Sequence, residues 1–240
     1  MKSLKEDVGA LNEEQVVSYF QLSPKKIIEE IKLRGSQRRM VKIRGIEMIC
    51  LPGVYPSDQF RTTDFLLESI SPFLYQSRVC DMGCGPGVVG LYSFYQGADK
   101  VVQSDINPLA CSNAKENNHL HKIPDTKAEV FESDCFEYIP IQIFDLIVFN
   151  LPFHSNPVKF KDHLEKAFFD PDFISLKKFL KEAPLYCEKG VTKIVLAFSN
   201  KGDVKTLESL LNQSQFEWSL WKVINQEQKF DNRLYLLRLI

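Results

Sequence analysis

Apolar positions follow a helical period over the first part of the chain, then resolve from Ser77 onward into short apolar runs alternating with amphipathic stretches. Near the start, Asn12 with Gln15 reads as a capping box ahead of Val16, Val17 and Phe20. Ser23-Pro24 is a cap and first-position pair, opening a helix with Ile27, Ile28 and Ile31 on one side. A short β pair is predicted over 40–44 and 47–51 about the turn at Gly45, leading into Gly53-Val54-Tyr55-Pro56-Ser57. A helix begins near Thr63, with Leu66, Leu67, Ile70 and Phe73 at helical spacing. Strands are then predicted at 78–82, 100–105, 127–131, 143–149 and 192–199, and helices at 87–96, 107–119, 172–187 and 203–213. Two late β runs, 216–223 and 233–240, follow without a crossover helix and flank a polar turn at 225–231. Repeated βα units imply an α/β fold with a doubly wound, mostly parallel sheet. The late pair is expected as an antiparallel C-terminal hairpin at the sheet edge, and a small N-terminal helical and hairpin segment precedes the sheet. The division expected is residues 1–57 for that segment and 58–240 for the sheet domain.

Composition narrows the setting. With 240 residues, 44% of them hydrophobic, the chain suits one large α/β domain with a modest extra segment. A formal net charge of −1 gives no global attraction to nucleic acid, so any such binding needs a local patch. One candidate exists: Lys32, Arg34, Arg38, Arg39, Lys42 and Arg44 occur with no acid among them. That run could track phosphates or an acidic partner, or be a solvated face. The 6 cysteines are scattered without a CxxC pair or a Cys/His cluster, which leads us to expect reduced thiols, no metal and a cytoplasmic setting. The N-terminal MKSLKEDVGALNEEQ lacks the apolar core of a signal peptide, and no apolar run is long enough to span a bilayer.

The chemistry concentrates at the predicted strand ends. In "VCDMGCGPGVVG", Gly83, Gly85 and Gly87 permit a tight turn and close backbone approach to a ligand, just before a helix N-terminus. A dinucleotide fingerprint needs Gly where Val88 stands, and no proton-handling constellation accompanies the loop, so a nicotinamide enzyme is disfavoured. Asp81 closes the first of these strands, where a carboxylate can pair with an ammonium group. Asp105 closes the next and can accept both hydroxyls of a ribose. Asp134 closes the third, within reach of an adenine amino group. A ligand with an ammonium end, a ribose and an adenine is S-adenosylmethionine. The plainer alternative is a structural glycine turn with acids that cap helices.

From Tyr55 to Ile240 the chain resembles the class I, Rossmann-like methyltransferases. Within them it is similar to the branch containing release-factor glutamine methyltransferases and the ribosomal-RNA guanine and tRNA adenine amine methyltransferases. "DMGCGPG" matches their cofactor loop, and "VYPSDQFRTTDFLLESI" resembles the stretch before it, with a short insertion between Ser57 and the Thr63-Asp64 pair. The branch signature, Asn/Asp-Pro-Pro-Phe/Tyr, stands here as Asn150-Leu151-Pro152-Phe153, with Leu in place of the first Pro. His154 after it is similar to a form seen among the guanine methyltransferases. The resemblance implies S-adenosylmethionine as cofactor, held by Thr63, Asp81, Gly83, Cys84, Gly85, Gly87, Asp105, Ile106, Asp134, Cys135 and Asn150. It implies Tyr55, Phe153 and His154 on the acceptor side.

The residues themselves suggest how the fourth strand end acts. A planar NH₂ delocalises its lone pair and is a poor nucleophile. If the Asn150 side-chain oxygen and the Leu151 carbonyl each accept one of its N–H groups, the remaining direction is free for the methyl. Those bonds strengthen as the nitrogen becomes positive. Pro152 keeps Leu151 extended, and Phe153 can stack on the planar group. An asparagine capping an ordinary loop is the alternative. The expected acceptors are a nucleobase amine of RNA or a glutamine amide of a protein. A small-molecule amine, or a non-catalytic cofactor-binding partner subunit, remains open. Cys84 and Cys135 are expected as small packing residues, and Trp218 and Trp221 as core or edge packing.

Overall fold

The computed structural model describes residues 37–155, 162–226 and 230–240, together with Lys26, Glu29 and Lys32. The capping box at Asn12 lies outside the described residues; of the helix after Ser23-Pro24, Lys26, Glu29 and Lys32 are described and are helical. A hairpin of β1 (Arg39–Ile43) and β2 (Ile46–Cys50) comes first. Then follow α1 (Arg61–Ile70), β3 (Arg78–Met82), α2 (Val88–Tyr95), β4 (Lys100–Asp105), α3 (Pro108–Leu120), β5 (Ala128–Glu132) and β6 (Leu146–Asn150). The short turn α4 (His163–Lys166), α5 (Ile174–Glu182), β7 (Lys193–Ser199), α6 (Val204–Asn212), β8 (Phe216–Gln226) and β9 (Phe230–Leu239) complete the chain.

The large sheet has the order β5-β4-β3-β6-β7-β9-β8. Its first five strands run parallel, and β9 and β8 return antiparallel. The chain moves outward from β3 to β5, then crosses back to place β6 on the other side of β3, so a switch point opens between β3 and β6. The late pair forms the antiparallel hairpin expected at the sheet edge, with β9 against β7 and β8 outermost, and its pairing extends to Gln226 and Phe230. The predicted helix 172–187 is shorter, ending as a 3₁₀ turn at Ala183–Tyr186 where Pro184 lacks an N–H to continue it.

Strand alternation assigns each side chain to a face. Cys80, Met82, Ile147, Phe149, Ile194 and Leu196 meet Phe179 of α5 and Leu207 of α6 in one core. Val79, Val101, Leu146, Val148, Val195 and Ala197 meet Leu66 and Leu67 of α1 and Val89 of α2 in the other. The β1–β2 hairpin joins that second core through Val41, Ile43, Met48 and Cys50. It is fastened by two buried asparagines of α3. Asn117 accepts from Ile49 N (2.7 Å) and donates to Ile49 O and Pro86 O; Asn113 accepts from Leu51 N (2.9 Å). Along the α1/α2 face, the apolar alternation gives way to polar residues at the carboxyl edge. Asp81, Asp105, Asn150 and Ser199 all fall there by register.

Candidate active site

The glycine loop follows β3 with Gly83, Gly85 and Gly87 at φ of +64°, +53° and +87°. These angles are strained for a residue with a Cβ. At Gly87 the reason is also steric: a Cβ would lie 2.5 Å from Gln103 Nε2. Gln103 is fully buried beneath the loop, donating to Gly87 O and accepting from Asn118. The Asp105 carboxylate accepts from Gly85 N (2.9 Å) and Asn107 N (2.8 Å), which ties the end of β4 to the loop. Burial holds its pKa above the ordinary carboxyl value. Ile106, the next residue, is exposed.

Asp81 is turned under α2, where Oδ2 accepts from Gly90 N at 3.2 Å. Burial, with the negative charge of Asp105 nearby, pushes its carboxyl up to about 8. Thr63 is buried on α1. Cys84 and Cys135 are buried thiols whose pKa values burial raises, in keeping with packing roles. Asp134 meets Lys178 of α5 at 2.8 Å, a partner with no sequence signal, since nothing in the α5 pattern points toward β5.

Leu151 N donates to Ala197 O at 3.0 Å and carries the ladder one step beyond Asn150. Its side chain is buried, yet among the described residues nothing donates to its carbonyl and nothing partners the Asn150 side-chain amide. Both line a cleft of about 20 Å³ with Tyr55, Phe60, Phe153 and Asn232. Tyr55 stacks on Phe60 at 5.0 Å, and a Cβ on Gly85 would stand 3.7 Å from Tyr55 Cβ. The cleft and the glycine loop are therefore neighbours. His154 is packed rather than solvent-facing, its ring 4.4 Å from Phe153 and 5.4 Å from Phe169. Burial and the nearby Lys201 push its imidazole down to about 4, so it is neutral at pH 7. Burial also lowers Lys201, to about 8. Lys201 and Asn232 both line the cleft and were missed; Asn232 stands between Asp231 and Arg233 at the polar start of β9, so nothing along the chain set it apart.

The basic run is largely matched by acids. Lys32 pairs with Asp162 and Glu165, Arg38 with Glu116, Arg39 with Asp58 (2.9 Å) and Arg44 with Asp64 (3.0 Å). Among the described residues no group of His, Cys, Asp and Glu could hold a metal ion, and no helix is long and apolar enough to cross a membrane.

Residues 45–181 match the methyltransferase small domain family, more than half of the chain. The chain belongs to that family. It is an S-adenosylmethionine-dependent methyltransferase. Over 176 residues it is 32% identical to a provisionally named protein N5-glutamine methyltransferase of Methanocaldococcus jannaschii, covering 71% of this chain and 85% of that one. It is 30% identical over 156 residues to ribosomal RNA small subunit methyltransferase C of Hamiltonella defensa, covering 65% of this chain and 42% of that protein. The chain thus spans less than half the length of the ribosomal RNA relative. Among solved structures, a Thermus thermophilus 16S rRNA N2 G1207 methyltransferase in complex with AdoMet and guanosine has a TM-score of 0.62 at 20% identity. That match covers 85% of this chain and 50% of the other and shows a shared fold. The methyltransferase's own residues fit the cofactor. A loop with glycine at 83, 85 and 87 adjoins the buried Asp81 and half-buried Asp105 carboxylates, both held above their ordinary pKa, the chemistry that an ammonium group and ribose hydroxyls would satisfy.

Proposed function

We propose that this methyltransferase acts on a planar NH₂ of a macromolecule, and that a glutamine amide of a protein partner is the acceptor. The observation behind this reading is the pair of unmatched acceptors, the Asn150 side-chain oxygen and the Leu151 carbonyl, beside the glycine loop. S-adenosylmethionine supplies an electrophilic methyl on a sulfonium. The chain's task is to aim a weak nucleophile. Two accepted N–H bonds fix the NH₂ plane and strengthen as positive charge develops on nitrogen. Phe153 offers a face for the planar group, and neutral His154 holds that ring in place. Departure of the amine proton to solvent completes the exchange.

On the cofactor side, Gly83, Cys84, Gly85 and Gly87 form the cradle. Asp105 with Ile106 serves the ribose, and Asp134 with Cys135 the adenine end. Asp81 and Thr63 lie toward the methionine end. The segment up to residue 57 shapes the acceptor side through Tyr55, and the protein works in the cytoplasm.

A guanine amine of RNA is the second reading, favoured by the ribosomal RNA relatives. The ion-paired basic run weighs against it, because cations already matched by acids release few counterions from a phosphate backbone. Incubation of an extract with labelled cofactor, divided by ribonuclease and protease treatment, tests the proposal. Label lost to protease alone supports the protein acceptor; label lost to ribonuclease alone selects the RNA reading.

A further inference from the structure

Asn232 is the register partner of Ser199 and shares a sheet face with Leu234, Ala197, Val148 and Asn150. It is 3% exposed, and its Nδ2 has no hydrogen-bond partner among the described residues. Its surroundings are otherwise satisfied. Ser199 Oγ donates to Asp231 O (3.1 Å), Arg233 holds the Asp231 carboxylate (2.7 Å), and Asn200 Oδ1 accepts from Asp231 N (2.9 Å). A buried donor left unpaired costs stability, and here it lines the same cleft as Asn150 and Leu151. The cleft is thus lined by two unmatched acceptors and by an amide whose buried Nδ2 is unpaired, with Lys201 and Ser199 beside them.

We propose that Asn232 Nδ2 donates to the carbonyl oxygen of a primary carboxamide whose NH₂ is held by Asn150 and Leu151. This rests on the acceptor reading above and adds the residue that selects its chemical class. A carboxamide carries two N–H donors and one oxygen acceptor, which the three groups match one for one. The guanine edge likewise offers a ring acceptor, N3, beside its NH₂, but adds on the other side a ring N–H that none of these three groups is free to accept. Donation to the carbonyl draws the lone pair away from nitrogen, so Asn232 serves recognition and orientation and does not speed transfer. Its loss should appear in substrate affinity and KM, with kcat unchanged or slightly raised.

The test uses the full chain saturated with S-adenosylhomocysteine and titrated with propionamide or guanosine, read by the nitrogen-15 signals of side-chain amides. The Asn232 signal, identified by its absence in Asn232→Leu, should shift with propionamide. Asn232→Leu should keep the wild-type melting temperature or exceed it and bind S-adenosylhomocysteine within twofold of wild type. It should bind propionamide about tenfold more weakly, the scale of one lost hydrogen bond. Asn232→Asp, isosteric but without the donor, should lose propionamide similarly. Unchanged propionamide affinity in Asn232→Leu, with weakened binding in Asn150→Ala, overturns this inference and leaves the acceptor reading intact. A joint fall of stability and cofactor affinity in Asn232→Leu would mark a structural residue and also overturn it. So would guanosine binding without propionamide binding, or no response to near-molar propionamide. If Asn150→Ala alters the binding of neither probe, the acceptor reading itself fails.

Discussion

At the residue scale, the proposed function rests on groups left without partners, and the unmatched amide of Asn150 is the first of them. Asn150→Ala should leave cofactor affinity within a few-fold and slow methyl transfer about 10²-fold or more, as for loss of an oxyanion-hole donor. Single-turnover transfer to the identified acceptor checks this; a wild-type rate in the variant sinks the clamp. Asp105→Ala should weaken S-adenosylmethionine binding by about 1–3 kcal/mol, the scale of hydrogen bonds to a charged group, as read by calorimetry. Asp81 makes the protein sensitive to pH. Between the ordinary carboxyl value of 3.8 and about 8, the folded chain keeps a proton on Asp81 that the unfolded chain has released. Raising the pH through that window therefore withdraws stability, and above it the contribution is constant. Asp81→Asn retains an acceptor for Gly90 N and removes the titration. Its stability relative to wild type should rise from pH 5 to pH 8 in denaturant unfolding; a constant difference would refute the assignment.

At the element scale, the glycine loop is positioned by the contact of α2 with β4. A Cβ at Gly90 would lie 2.3 Å from Gln103 Nε2 and 2.6 Å from its Cδ. Gln103 cannot withdraw freely, because it holds Gly87 O and the amide of Asn118. Gly90→Ala should thus destabilise by about 1–3 kcal/mol, the usual cost of overpacking. Adding Gln103→Ala should recover part of that loss, because the clash is removed along with the hydrogen bonds. Urea unfolding of the single and double variants measures the recovery; a double variant no more stable than Gly90→Ala would place the strain elsewhere.

At the scale of the whole molecule, charge is spent on internal joins. Arg39 of the hairpin meets Asp58, whose side chain is 2% exposed, and the same carboxylate lies near Cys50. Removing Arg39 leaves a buried carboxylate unpaired, so Arg39→Ala should destabilise by about 3 kcal/mol. The exposed pair of Arg38 with Glu116 should contribute far less. Thermal melts of the two variants check the contrast. An RNA affinity that falls steeply with salt, with a slope reduced by an Arg38/Arg39 double variant, would restore the phosphate-tracking role of the run.

The sequence by itself determined the architecture and pointed to where the proposed chemistry lies. Apolar runs on both strand faces require helices on both sides, and three glycines after β3 require a backbone-built ligand loop. Asn150-Leu151-Pro152-Phe153 pointed to the proposed acceptor side because Pro152 restricts the residue before it to extended backbone. These are local properties of contiguous residues, and so they can be read along a line. The tertiary structure decided what depends on register between distant strands. It inserted β9 between β7 and β8, which brought Asn232 to the cleft of Asn150 from 82 positions away in the chain. It matched the basic run with Asp58, Asp64, Glu116 and Asp162, none of which lies inside the run. It gave Asp134 a lysine from α5 and buried Asp81 far enough to retain a proton. Ion pairing and desolvation are set by the distances and burial that folding creates, and no spacing along the chain encodes them.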